Sequence, residues 1–288
     1  MELKEILERI AIKYTDNRKN AILEILKEND IYYDVQEIQK EYPKYTSRFS
    51  YFDFDYDEED NEEEYEPSIS YYYNILVDLG PFEQSKEKIL LTAHYDVVNG
   101  STGANDNGSS LAILLKLITD LGYTNLPIRV AFLDGEEIGG VGSRGYIDKC
   151  INTPELKDNI TVINFDVCGC GDDIVIEDRI LNKNKLTDIL LSDDMTKKYN
   201  VYKAPRLPFN DAKIFAQNDI DALCIVVLPK EDIDLMYEER TFTKDMIGKK
   251  HFGSYVWEYQ HNGRYDSIEF VNYKMMQKVY EYILEIFK

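Results

Sequence analysis

The stretch ILLTAHYDVVNGSTGANDNGSSLAILLKLITDLGYTNLPIRVAFLDGEE, residues 89–137, holds two short apolar runs with a helical pattern between them. Ile89–Ala93 and Ile128–Leu133 lack the alternation of a half-solvated strand, so both faces of each are expected to be covered. Between them, residues 109–121 repeat Leu and Ile at helical spacing and supply the crossover. The rhythm continues in Ile160–Phe165 (ITVINF) and Ala222–Leu228 (ALCIVVL), with a helical pattern over Asp211–Gln217 before the last run. Continuous apolar strands alternating with helices predict an α/β fold whose sheet is covered on both faces.

Outward from this core, Leu3, Ile6, Leu7 and Ile10 share one helical face, and Ile22, Leu23, Ile25 and Leu26 follow at similar spacing after a turn read at Thr15–Asp16–Asn17. Strands are expected at Ile31–Ile38 and Ser70–Leu79, and a closing helix over Val271–Phe287 carries Met275, Val279, Tyr282, Ile283 and Ile286 toward the sheet. No internal repeat or interdomain linker stands out. The expectation is a single domain over residues 1–288 with an acidic loop insert at about 53–66.

That insert, DFDYDEEDNEEEYE, holds ten of the 54 acidic residues, against 33 Lys plus Arg and a net charge of −21. Such a field repels nucleic acid and anionic membrane surfaces, so neither is an expected partner. A hydrophobic share of 44% excludes global disorder, and a chain of 288 residues can bury a large core. No apolar run reaches the roughly 20 residues of a membrane span, and the N-terminus MELKEILERIAIKY is unlike a signal peptide. A cytoplasmic location is expected, with Cys150, Cys168, Cys170 and Cys224 as thiols. Cys168 and Cys170 are too close together for an ordinary zinc-site pair, and are read as small residues of a tight loop.

Chemistry-bearing residues gather where the apolar runs stop: His94-Tyr95-Asp96, Asp134-Gly135-Glu136-Glu137 and Asp166. In open α/β sheets the site lies at the carboxyl ends of strands. One of only three histidines falls there, two residues before an acid that can orient its ring from the second nitrogen. The turn Gly103–Ser110 (GANDNGSS) opens a helix and presents Asp106, which in isolation reads as a cap. Adjacent Glu136 and Glu137 at a buried strand end repel each other, and a cation removes that conflict.

HYD at 94–96, GANDNGSS at 103–110, FLDGEEIGGVGSRGY at 132–146, NFD at 164–166 and His261 followed by Asp266-Ser267-Ile268-Glu269 together resemble the M28 family of co-catalytic zinc aminopeptidases, over about residues 70–288. The resemblance implies a three-layer α/β/α fold around a central mixed, largely parallel sheet. It implies that Asp106 bridges two divalent cations, one also held by Glu137 and His261 and the other by His94 and Asp166. Glu136 is the implied general base, Asp96 supports His94, and the implied substrate is a peptide with a free N-terminus. Imidazole and carboxylate ligands suit zinc, with Co²⁺ and Mn²⁺ also compatible. Oligomeric state is left open.

Three features depart from the family pattern. Four residues instead of three separate His261 from Asp266, and Asn210-Asp211-Ala212 lacks the histidine of the usual Ser-Asp-His, so Asp211 is read as a helix cap. An oxyanion-supporting tyrosine is placed at Tyr237, in an expected loop, among 23 tyrosines. Glutaminyl cyclases share closely similar motifs but insert more residues between the paired acids and the next Gly-Ser; here four residues separate Glu137 from Gly142. M20 peptidases also use His-x-Asp and Glu-Glu, yet their bridging aspartate comes later in the chain. A non-catalytic peptide-binding protein on the same scaffold is the reading from a different class, and such proteins usually lose positions that are filled here.

Overall fold

Alternate residues of each central strand serve different cores. Leu91, Ala93, Val130, Phe132, Ile163, Phe165, Leu223 and Ile225 point into one buried cluster, while Leu90, Ala131, Leu133, Val162, Ala222 and Cys224 point into a second. This follows from the two-residue period of a strand, and it explains why the runs are apolar throughout. The computed structural model describes residues 1–42, 68–179, 185–204, 207–238, 260–261 and 265–287. The acidic insert at 53–66 lies outside the described residues.

Along the chain come α1 (Leu3–Ile10), α2 (Thr15–Glu28), β1 (Asp34–Tyr42), β2 (Ser68–Asp78), β3 (Lys88–His94), a wide turn over Ala104–Ser109 and α3 (Ser110–Leu121). β4 (Ile128–Leu133), α4 (Val141–Cys150), α5 (Pro154–Asp158), β5 (Ile160–Phe165), β6 (Asp173–Arg179), α6 (Lys185–Leu190) and α7 (Asp193–Tyr199) follow. The remainder comprises β7 (Val201–Ala204), α8 (Asp211–Gln217), β8 (Asp221–Leu228), α9 (Lys230–Glu238) and α10 (Tyr273–Leu284). The eight strands form one sheet in the order β1-β2-β4-β3-β5-β8-β6-β7. Its centre, β4-β3-β5-β8, is parallel; β1 and β2 are antiparallel additions on one side, and β6 runs antiparallel to β8 on the other.

The first cluster packs α1, α2, α3 and α10 on one face, and the second packs α4 and α8 on the opposite face, giving the three-layer α/β/α arrangement. α3, which follows β3, and α4, which follows β4, therefore lie on opposite faces although their strands are neighbours. That reversal opens a crevice at the carboxyl ends of β3 and β4, where an α/β sheet places its ligands.

Some local expectations shift. Thr15 and Asp16 are the first turn of α2 rather than a preceding turn, and the first strand starts at Asp34 instead of Ile31. β6 and β7 escape the sequence reading because β6 has charged ends and β7 spans only four residues. Tyr237 lies in α9 and not in a loop, and its side chain is outside the described residues. Among the described residues, no helix is long and apolar enough to cross a membrane.

Candidate metal centre

His94 closes β3, Asp134 follows the last residue of β4, and Asp166 follows the last residue of β5. Parallel register sets His94 directly beside Leu133, so the ends of these strands are level. The wide turn Ala104–Ser109 then carries Asp106 over them.

Asp106 stands between two groups. Its Oδ1 lies 3.1 Å from His94 Nε2, which is also 3.6 Å from Asp166 Oδ1. Its Oδ2 faces the other way, 3.6 Å from His261 Nε2, which lies 3.2 Å from Glu137 Oε2. The structure thus brings together His94, Asp106, Glu137, Asp166 and His261, with Glu136 buried in the same crevice at 8% exposure. Ligand atoms of His94, Asp106 and Glu137 all lie within 4.8 Å of one another. Glu137 Oε1 is buried without a hydrogen-bond partner, an expensive arrangement that a bound cation would relieve. By donor chemistry and convergence, the residues fit a divalent metal.

Several groups hold this arrangement in ways the sequence did not disclose. Asp96 Oδ1 is 3.2 Å from His94 Nδ1, although their alignment falls short of a hydrogen bond. Its two oxygens instead accept the backbone N–H groups of Glu136 and Glu137, each at 3.0 Å, tying the end of β3 to the paired acids. Asn107 brackets Asp166: its amide donates to Phe165 O at 2.9 Å and its oxygen accepts from Val167 N at 3.2 Å. Asn105 Oδ1 accepts from Gly169 N at 2.8 Å. The two asparagines of GANDNGSS therefore fasten the Asp106 turn to the Asp166 loop.

Electrostatics follow from burial of so many acids. Burial pushes Asp106 up, but the hydrogen bond and charge of His94, with His261 and Arg18, outweigh it and hold the carboxyl below its usual range. Burial, reinforced by the Asp106 charge, raises Glu137 to about 7. Burial likewise raises Glu136 well above its ordinary value, with Asp166, Asp211 and Glu137 adding to the effect against the opposing His94. The hydrogen bond from His261 to Glu137 lifts His261 to about 9. These are the marks of a centre whose carboxylates lack sufficient positive charge.

Cys168 and Cys170 are not part of it. Their Sγ atoms contact the carbonyls of Asp166, Ile225 and Phe270, and burial pushes both thiols up to about 12. Asp211 does not cap α8, because the helix begins at Asp211 itself and Asn210 occupies the cap position. The Asp211 carboxyl is 1% exposed, and neither oxygen has a hydrogen-bond partner. Burial raises it to about 7, and its field reaches Glu136.

Comparison with known proteins bears on the same residues. The model of peptidase family M28 matches residues 74–287. The chain belongs to peptidase family M28. Aminopeptidase YwaD of Bacillus subtilis is 37% identical over 83 residues, which are 28% of this chain and 18% of that protein. Leucine aminopeptidase 2 of Trichophyton equinum is 37% identical over 84 residues, 28% of this chain and 17% of the relative. The aligned stretches thus span about a sixth of these curated M28-like relatives. A zinc aminopeptidase from Bacillus subtilis superposes with a TM-score of 0.66 at 14% identity, covering 99% of this chain and 94% of the other. A glutaminyl cyclase from an Acidobacteriales bacterium gives a TM-score of 0.64 at 17% identity, covering 99% and 92%. At such identities these likenesses concern the M28 fold, which both activities share.

Gly142 shows how tightly this M28 crevice is built. A Cβ there would lie 2.6 Å from both N and O of Asp134 and 2.5 Å from Asn74 Oδ1. Gly142→Ala is expected to destabilise the protein by about 1–3 kcal/mol, because backbone must move. Urea unfolding checks this, and an unchanged midpoint would show that the strand end yields freely.

Proposed function

We propose that this chain is a metal-dependent aminopeptidase, folded as one domain over residues 1–288, that removes N-terminal residues from peptides. The observation that supports this most is the double facing of Asp106, with one oxygen toward His94 and Asp166 and the other toward His261 and Glu137. Such a carboxylate suits two divalent cations, zinc by ligand chemistry with Co²⁺ or Mn²⁺ as substitutes, held by these five residues. Cations there would polarise the scissile carbonyl and make water more acidic.

Glu136 takes the proton from the attacking water and returns it to the departing amine. Its burial in the crevice excludes competing solvent, which suits a group that must both accept and release a proton. Asp96, bonded to the amides of Glu136 and Glu137, keeps base and ligand from exchanging places. The charge of Asp211, which belongs to none of the five donors and reaches Glu136, would favour a substrate's α-ammonium in the crevice, and so peptides with a free N-terminus.

The test is metal analysis of the zinc-loaded protein with a panel of aminoacyl-p-nitroanilides and their N-acetylated forms. Release of nitroaniline from the free-amine compounds only, abolished by a chelator, is the expected result. Turnover of none of them, or no bound metal, would overturn the reading. A peptide with N-terminal glutamine, added to the same assay, distinguishes the cyclase activity by ammonia release without a free amino acid.

A further inference from the structure

Arg18 lies in α2, N-terminal to the span 74–287 that the family model matches, and its side chain is fully buried at 0% exposure. Among the described residues no carboxylate reaches it at ion-pair distance, and its hydrogen bonds all go to backbone carbonyls. Nε donates to Ile10 O at 3.0 Å, Nη1 lies 3.5 Å from Tyr95 O, and Nη2 donates to Thr102 O at 2.6 Å and Gly103 O at 2.9 Å. Burying a guanidinium without a direct counter-ion is unfavourable by several kcal/mol in order of magnitude, so a compensating field is required. The carboxylates whose charges reach it are Asp266, Asp106, Asp96 and Glu137.

The same loop is held from its opposite side by an anion. Asp266 Oδ1 accepts the amides of Asn105 and Asp106 at 2.8 and 3.2 Å, and its Oδ2 accepts from Ser101 Oγ at 2.6 Å. Ser101 Oγ in turn accepts from Gly103 N at 2.8 Å. Carbonyls of residues 95–103 are thus fastened to the N-terminal helices, and amides of residues 105–106 to the segment that follows His261. Gly103 is the meeting point. Its φ of 51° is left-handed, and a Cβ would collide with Arg18 Nη2 and Asp106 O, so the arginine fork occupies the space a side chain would need.

We propose that Arg18 is a positioning residue of the metal centre: by gripping the loop carbonyls it sets Asp106 between its two donor groups, and its charge offsets part of the acid cluster behind them. The N-terminal helices are then a working part of the site and not only a cover for the sheet. This rests on the function proposed above, since it takes Asp106 to be a metal ligand.

The test compares full-length wild type with Arg18→Lys and Arg18→Met. Lys keeps the charge and loses the planar fork; Met keeps the volume and loses both. Zinc affinity is read by chelator competition, loop order by amide hydrogen exchange, and catalysis by kcat and KM on one aminoacyl-nitroanilide. Folded Arg18→Lys is expected to bind zinc about 10–100-fold more weakly, the range seen when groups supporting metal ligands are removed. Its kcat is expected to fall with KM little changed, and exchange at Asn105, Asp106 and Gly108 to accelerate. A merely structural arginine would lower the melting temperature and leave zinc affinity at its wild-type value in every folded variant, and that result overturns the proposal. Should neither variant fold, the wild type still decides, because rapid exchange at Asn105 and Asp106 in it would rule out a clamped loop. A wild type that binds no zinc defeats the proposed function, whereas zinc binding unchanged by Arg18→Lys defeats only this inference.

Discussion

Glu136→Gln is expected to keep its zinc and lower kcat by a factor of about 10²–10⁴, the contribution typical of a positioned general acid–base group. Gln preserves the size of the side chain and leaves the Glu136 N–H on Asp96 undisturbed, so the ligand Glu137 stays in place. What disappears is the carboxylate that accepts a proton. KM should change little, because the loss falls on the transition state rather than on ground-state binding. Steady-state kinetics with zinc content measured on the same sample check this. Activity within about threefold of wild type would remove Glu136 from the base role, since proton transfer of this kind is worth far more. Asp211, whose charge helps keep the Glu136 proton affinity high, gives a weaker companion: Asp211→Asn should move the acidic limb of the rate profile to lower pH.

The strands that position the centre were readable because β3, β4, β5 and β8 are apolar on both faces, a pattern that few other local structures impose. β6 and β7 lie at the outer side of a mixed sheet, where short and charged sequences suffice, so no comparable pattern marks them. Among the site residues, His94, Asp166 and the paired glutamates announced themselves by their place at strand ends. Asp106 did not: by its neighbours it is a good helix cap, and only its order within the motif set identified it. Its placement between two donor groups comes from the turn Ala104–Ser109 and the asparagine brackets, which are contacts over about sixty residues of sequence. Arg18 was less legible still. An arginine on an otherwise amphipathic helix normally extends into water, and nothing local in TDNRKNAILEILKE indicates that this one turns inward to a loop more than seventy residues away. Asp211 was misread for the converse reason: the composition of a helix start is also what places a buried acid beside the crevice.

Zinc is expected to raise the melting temperature of the chelator-treated protein substantially, and the increase should grow with pH. At a free concentration about a thousandfold above Kd, a ligand specific to the folded state adds about 4 kcal/mol. For a chain of this size that corresponds to roughly 8–16 °C, taking about 2–4 °C per kcal/mol. The pH dependence follows from the direction of the shifts. Burial raises Asp134 and Asp266 to about 6 and Glu137 and Asp211 to about 7, and the Glu137 hydrogen bond raises His261 to about 9. Each group binds its proton more tightly folded than unfolded, so its contribution is complete below the unfolded value and is lost as pH rises through the folded one. Without metal, stability therefore declines between about pH 4 and 9, opposite to a protein held by salt-bridged carboxylates. Asp106 alone among these ligands is shifted down by an amount that outweighs its burial, and its opposing contribution lies below the ordinary carboxylate range. Even a net single pK unit across the set is about 1.4 kcal/mol, or roughly 3–6 °C between the ends of this window. Zinc competes with the protons of Glu137 and His261 and binds better as they leave, so the zinc-loaded protein should lose their share of this decline. Scanning calorimetry at pH 5.5 and about 8.5, with chelator and with zinc, measures both slopes. Equal melting temperatures with and without zinc at the higher pH would mean that the acids around Asp106 are neutralised in some other way.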